Sequence, residues 1–125
     1  MFKILFVIGL LTVVSGLTQM VFPGTVLSFM TAGSTPLARH SFGIVGMFMV
    51  FFGGALMHAL LHRQHQPVVV LWASVQKSGA ACAVSLGVIY GIFEPLALCV
   101  ALFDACSGVI GLMYWRTILT PLPEQ

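Results

Sequence analysis

The sequence predicts an all-α integral membrane protein, an antiparallel four-helix bundle with up-down-up-down connectivity. Composition is the first reason: 59% of residues are hydrophobic and 6% are charged, with a mean hydropathy of +1.08. A soluble domain carries about a quarter charged residues. This chain has too few polar groups to coat its own surface, so that surface is expected to meet lipid. The second reason is four apolar runs, each near the roughly 20 residues that a spanning helix takes. The third is the shortness of most breaks between them, since short connections set consecutive helices side by side and antiparallel. Four spans and their turns use nearly all 125 residues. A single domain over residues 1–125 is expected, with no separate soluble catalytic domain.

The first span reads over residues 4–22. Lys3 and the apolar run after it, followed by Ser15-Gly16, resemble a secretory signal. The run continues to Phe22, so the segment is expected to be retained as a span. Pro23-Gly24 breaks it. A loop to Pro36 follows, polar around Gly33-Ser34-Thr35. Its apolar middle, Val26 to Met30, suits a short amphipathic turn along the interface. The second span, 37–61, opens after Pro36, a favoured first-turn residue. The polar turn His62-Arg63-Gln64-His65-Gln66 separates it from the third span, 67–92, and Phe93-Glu94-Pro95 separates that from the fourth, 96–118.

The net charge of +2 forms no basic patch, so no nucleic-acid partner is expected. Lys3, Arg63 and Arg116 fall at points that share one side of a four-span chain, whereas Glu94 lies in the opposite turn. Basic residues mark the cytoplasmic side, so both termini are expected there. Arg39 dissents, at the start of the second span. Tyr114, Trp115 and Trp72 fit an aromatic belt on the same side. Cys82, Cys99 and Cys106 lie in apolar runs without a C-x-x-C pair and read as buried, reduced thiols.

The functional argument rests on groups that do not belong in hydrocarbon. Lys77 and Asp104 each lie about one turn from the middle of their spans. At 1.5 Å rise per residue, their Cα atoms differ in depth by at most about 10 Å, a gap a lysine side chain bridges. A lone charge at that depth costs about 2.5–3.5 kcal/mol on insertion scales. Such charges persist most readily when they pair or line a wet cavity, so the two read as a structural ion pair, as a ligand, proton or ion site, or as Lys77 snorkelling unpaired to the cytoplasmic face. Small and polar residues recur at helical spacing on every span: Gly9, Thr12, Gly16 and Gln19; Arg39, Gly43, Gly46, Gly53 and Gly54; Ser74, Lys77, Ala81 and Ser85; Asp104, Ser107, Gly108 and Gly111. Such stripes let helices approach closely in lipid, and they turn the charges inward. Gln19 is expected to hydrogen-bond across the bundle. Arg39 and Glu94 read as a second ion pair closing the outer end, or as a mouth for an anionic headgroup.

His58 and His62 share one helix face and His65 follows closely, the nearest approach to a metal set. No metal is expected: a cytoplasmic cluster against lipid phosphates accounts for them. A haem held within one chain would need ligands facing each other from different helices, and the histidines crowd onto the second span and its turn, so only Met113 or a second copy of the chain would supply a facing ligand. The sequence shows no nucleophile with a base, no zinc signature and no phosphate loop, so no independent catalytic activity and no resident cofactor are expected.

Several residues together resemble the DoxX-like group of small four-helix bacterial membrane proteins. They are the glycine-spaced first span ending at Phe22-Pro23, Ala38-Arg39 with Phe42-Gly43, Gly53-Gly54 before a basic turn, Lys77, Asp104 and Tyr114-Trp115. The resemblance runs over residues 4–116. It implies a bacterial inner-membrane location and, since some members accompany quinone-linked oxidoreductases, contact with a quinone. The function expected first is an accessory or anchor subunit of a larger membrane complex, such as a respiratory or quinone-linked one, with lipids and other membrane subunits or copies of itself as partners. The alternative is a small transporter or ligand-binding bundle that uses Lys77 and Asp104. Small multidrug transporters place a carboxylate in the first span, and here that span has none.

Overall fold

A computed structural model describes residues 1–62 and 66–120. All regular structure among them is helical: α1 Phe2–Val21, α2 Pro23–Ser28, α3 Pro36–Leu61, α4 Pro67–Ile89 and α5 Ala97–Leu119. The four long helices are each long and apolar enough to cross a membrane. The chain is an integral membrane protein.

Prolines set most of the helix starts. Pro23, Pro36 and Pro67 each occupy the first turn of their helices, where the missing N–H has no intrahelical partner to lose. Thr35 adds a cap, its hydroxyl accepting from the Ala38 N–H at 3.1 Å. The segment read as a short amphipathic turn forms the helix α2. α2 packs against α1 and α3, and Leu27 and Met30 are buried. The Glu94 N–H donates to the Met30 carbonyl at 2.6 Å, tying this segment to the α4–α5 turn.

α4 ends at Ile89, three residues before the expected limit of 92. Gly91 stands at φ 72. The Ile92 N–H donates to the Gly87 carbonyl at 2.8 Å and the Gly91 N–H to that of Val88 at 3.1 Å. This is a Schellman cap, and the Phe93 ring folds onto Gly87 behind it. A left-handed conformation costs an L-residue roughly 1–2 kcal/mol. Gly91→Ala is expected to lower stability by about that amount, read as a reduced midpoint in thermal or detergent-induced unfolding.

The long helices form two tight hairpins, α1 with α3 and α4 with α5, which meet each other more loosely. The first is zipped by facing glycines. A Cβ on Gly16 would lie 2.6 Å from the Gly46 carbonyl oxygen, and one on Gly53 would lie 2.8 Å from that of Gly9. The second closes where Gly108 and Gly111 rest on Ser74 and Ser78. Lipid is as apolar as a leucine side chain, so packing and hydrogen bonds drive association here more than hydrophobicity does. The small-residue stripes therefore mark the seams, with two exceptions. Gly54 has nothing within 4 Å of where its Cβ would stand, and Gly43 touches only the Gln19 carbonyl at 4.0 Å.

The cysteines differ from expectation: Cys82, Cys99 and Cys106 are all exposed. A thiol is at home in hydrocarbon as much as in a core, so an apolar run does not decide which way it faces.

The interior has two unlike halves. At the end holding Lys3, His62 and Arg116, Leu5, Ile8, Leu56, Leu60, Val70 and Ala73 form an apolar plug. Tyr114 and Trp115 pack against it half-buried, whereas Trp72 is exposed. Toward the other end polar groups are buried as well, Thr12, Gln19, Lys77 and Asp104, beside Leu27, Met30, Ala97 and Ala101.

Candidate functional site: a charged pair in a lateral cleft

Lys77 on α4 and Asp104 on α5 form a salt bridge, Nζ to Oδ1 at 2.7 Å. It is the one ion pair among the described residues. Its geometry follows from the glycines one turn away. With no side chain at Gly108, α5 comes against the Ser74–Ser78 stretch of α4, and that register sets Asp104 level with Lys77. Neighbouring hydroxyls are committed to their own helices: Ser74 donates to the Val70 carbonyl and Ser107 to that of Phe103, both at 2.7 Å. The pair is left to itself. Lys77 and Asp104 are 6% and 7% exposed, so both charges are nearly withdrawn from the surroundings.

Their hydrogen-bonding capacity is not used up. An ammonium carries three donors and a carboxylate about four acceptor sites. The one contact joins Nζ to Oδ1. No fully buried side-chain polar atom among the described residues lacks a partner, so the unpaired Oδ2 keeps access to open space. That space is a cleft of about 470 Å³ between the two hairpins. α1 contributes Thr12, Ser15, Thr18 and Gln19, α5 contributes Cys99, Val100 and Phe103, and Met30 and Phe42 close the end. Ser15, Thr18, Cys99, Val100 and Phe103 are exposed. The cleft therefore opens sideways between α1 and α5, toward where lipid lies. On the plug side of Lys77 the interior narrows to a void of about 10 Å³, so the cleft is blind at that end.

Gln19 is on the cleft wall, 6% exposed. Its Nε2 donates to the Phe42 carbonyl at 2.8 Å, a bond across α1 and α3. Because a carbonyl can only accept, that bond fixes the amide orientation and leaves Oε1 as an acceptor for the cleft. Thr12 donates to the Ile8 carbonyl at 2.8 Å and keeps its lone pairs. The Phe103 ring lies 5.2 Å from Lys77 Nζ, within reach of a cation–π attraction. Nothing in the sequence singled out Phe103, since one phenylalanine among ten resembles any lipid-facing residue.

Arg39 and Glu94 do not pair. The Arg39 guanidinium donates to the Ser34 carbonyl and hydroxyl at 3.1 and 3.3 Å, and its stem covers Gly24. Glu94 is exposed in the turn of the other hairpin. The two share an end of the bundle, but α3 is partnered by α1 and α2, which hold Arg39 on their own side. Neither residue lines the cleft. Arg39 instead borders, with His40 and Gly43, a shallow depression of about 250 Å³ on the outside of the first hairpin.

His58 and His62 meet edge to face, ring centroids 5.8 Å apart, beside a groove of about 190 Å³ shared with Gln66 and Val69. His65 and Arg63 lie outside the described residues. Among the described residues no three His, Cys, Asp or Glu side chains converge on a common point.

Comparison with known protein families, with curated proteins and with solved structures gave no match. The chemistry of this chain is therefore read from the cleft itself.

Proposed function

We propose that this chain is a membrane-embedded binding bundle whose ligand reaches the Lys77–Asp104 pair sideways, from the lipid, through the cleft between α1 and α5. One observation carries the reading: a nine-tenths buried ion pair that makes a single hydrogen bond and faces a cleft of about 470 Å³. Ligand pockets span about 300–1,000 Å³ and combine apolar walls with a few convergent polar groups. A pair serving only to fix helix register would be expected to sit in a filled interior. The cleft has no nucleophile with an adjacent base, so binding, or transfer of a bound molecule across the membrane, is the activity proposed.

A second reading is favoured by a separate observation. All four long helices expose large apolar side chains, among them Leu10, Phe48, Val75 and Leu102, and the connections are short. On this reading the chain packs into a larger membrane assembly as an accessory or anchor subunit. The resemblance to the DoxX-like group points the same way, toward a bacterial inner membrane and a quinone-linked complex. Lys3 and Arg116 at one end of the bundle support a cytoplasmic location for both termini.

Native mass spectrometry after gentle detergent extraction tests both readings. The wild-type chain is expected to carry an adduct the size of a single lipid-like molecule, and Lys77→Met combined with Asp104→Leu is expected to lose it. Identical spectra for the two would defeat the binding reading. A stoichiometric larger polypeptide in both would favour the subunit reading.

A further inference from the structure

The ligand class can be narrowed by charge. We infer that the cleft selects an uncharged amphipath with a hydroxylated head and an apolar chain, and discriminates against anionic and cationic molecules of the same length. This inference rests on the binding reading above and adds the identity of the head.

Charge balance is the first argument. Among the described residues the cleft lining holds one cation, Lys77, and one anion, Asp104, and no other charged side chain. They already neutralise each other at 2.7 Å. An anionic head drawn to Lys77 would have to displace or share with Asp104, leaving one negative charge without a partner in a medium of low dielectric. A cationic head drawn to Asp104 leaves the mirror-image excess. An uncompensated buried charge is among the most expensive defects a protein interior can hold.

Hydrogen-bond balance is the second. The cleft presents N–H donors of the Lys77 ammonium beyond the one given to Asp104. It also presents two acceptors, Asp104 Oδ2 and Gln19 Oε1, whose partner atoms in the same groups are already engaged. A hydroxyl is at once a donor and an acceptor, so one hydroxyl accepts from Lys77 while donating to Asp104, and a second donates to Gln19. A ketone or ester carbonyl would serve Lys77 and leave both acceptors unmet. The rest of the lining suits a chain: Val26, Met30, Phe42 and Met49 form an apolar wall opposite Val100 and Phe103.

The chain carries only two lysines, Lys3 and Lys77, so nitrogen-15 lysine labelling gives two side-chain signals. Lys3, exposed at the start of α1, serves as the internal control. The full chain in lipid nanodiscs is titrated with three probes of equal chain length: monododecanoylglycerol, dodecanoate and dodecylammonium. The Lys77 Nζ signal is expected to move saturably with the glyceride at more than about tenfold lower concentration than with either ion, a preference well within the penalty for an unpaired charge, while Lys3 stays still. Asp104→Asn leaves a lone cation and is expected to reverse the order toward dodecanoate. Lys77→Gln leaves a lone anion and is expected to favour dodecylammonium, read by alkylation of Cys99, which lines the cleft, after Cys82→Ala and Cys106→Ala. If one of the ions binds the wild type as well as the glyceride or better, the inference about the head is overturned and the binding reading survives. If no probe moves Lys77 at any concentration, both are overturned.

Discussion

Lys77→Ala and Asp104→Ala are each expected to destabilise the bundle by about 3–5 kcal/mol, the range seen when one partner of a buried ion pair is removed. The larger loss is expected for Lys77→Ala. A stranded lysine has a four-carbon stem that can carry its charge toward the interface, whereas the short Asp104 side chain, 7% exposed on α5, has no such escape. The combined replacement Lys77→Met with Asp104→Leu is expected to stay close to wild type, because paired charges and well-packed apolar isosteres are often equivalent. The difference between the singles and the double is the informative quantity. Ordinary interhelical hydrogen bonds in membranes average about 0.6 kcal/mol of coupling, while a lone charge at mid-membrane costs about 2.5–3.5 kcal/mol. A coupling above about 2 kcal/mol in detergent-induced unfolding places the pair in a dry interior. Simple additivity of the two singles would mean that each charge is solvated independently and that the salt bridge contributes nothing to the fold.

The same physical facts explain what the sequence made legible. Lys77 and Asp104 stood out because charge in an apolar run has few tolerable positions, and their depths matched. The stripe of Gly9, Thr12, Gly16 and Gln19 was visible because small and polar residues at helical spacing have little to do on a lipid face, and all four are buried. Depth alone did not identify partners. Arg39 and Glu94 share an end of the bundle, yet which helix neighbours which decides whether they meet, and α3 belongs to α1. Facing is likewise hidden for residues content in either surrounding: the three cysteines sit in apolar runs and are exposed. The end of α4 was obscured because Ile92 and Phe93 continue the apolar pattern past the Tyr90-Gly91 cap. The cleft itself is a property of two hairpins meeting loosely, and no residue pattern within one helix encodes a gap between helices.

Gly16→Leu is expected to be the most disruptive single substitution on the α1–α3 seam. The Cβ alone would stand 2.6 Å from the Gly46 carbonyl oxygen and 3.0 Å from both Met49 Cβ and Val50 Cγ2. The nearest of these atoms is backbone, so no rotamer change relieves it and the helices must separate. Overpacking a tight core typically costs about 1–3 kcal/mol. Here separation also breaks the reciprocal contact at Gly46, whose own Cβ position lies 2.7 Å from the Gly16 carbonyl, so a loss at or above the top of that range is expected. Gly79→Ala supplies the control, with nothing within 4 Å of its Cβ position, and is expected to be neutral or to gain up to about 1 kcal/mol from helix propensity. The consequence extends to the cleft. Gln19 lies one turn beyond Gly16 and reaches Phe42 on α3 across 2.8 Å, a bond that cannot span separated helices. Once freed, its amide no longer presents a fixed acceptor to the cleft. Gly16→Leu is therefore expected to weaken probe binding at Lys77 even where the bundle still forms, with the salt bridge on the other hairpin intact. Wild-type binding in a chain whose α1–α3 seam has opened would show that Gln19 takes no part in holding the ligand.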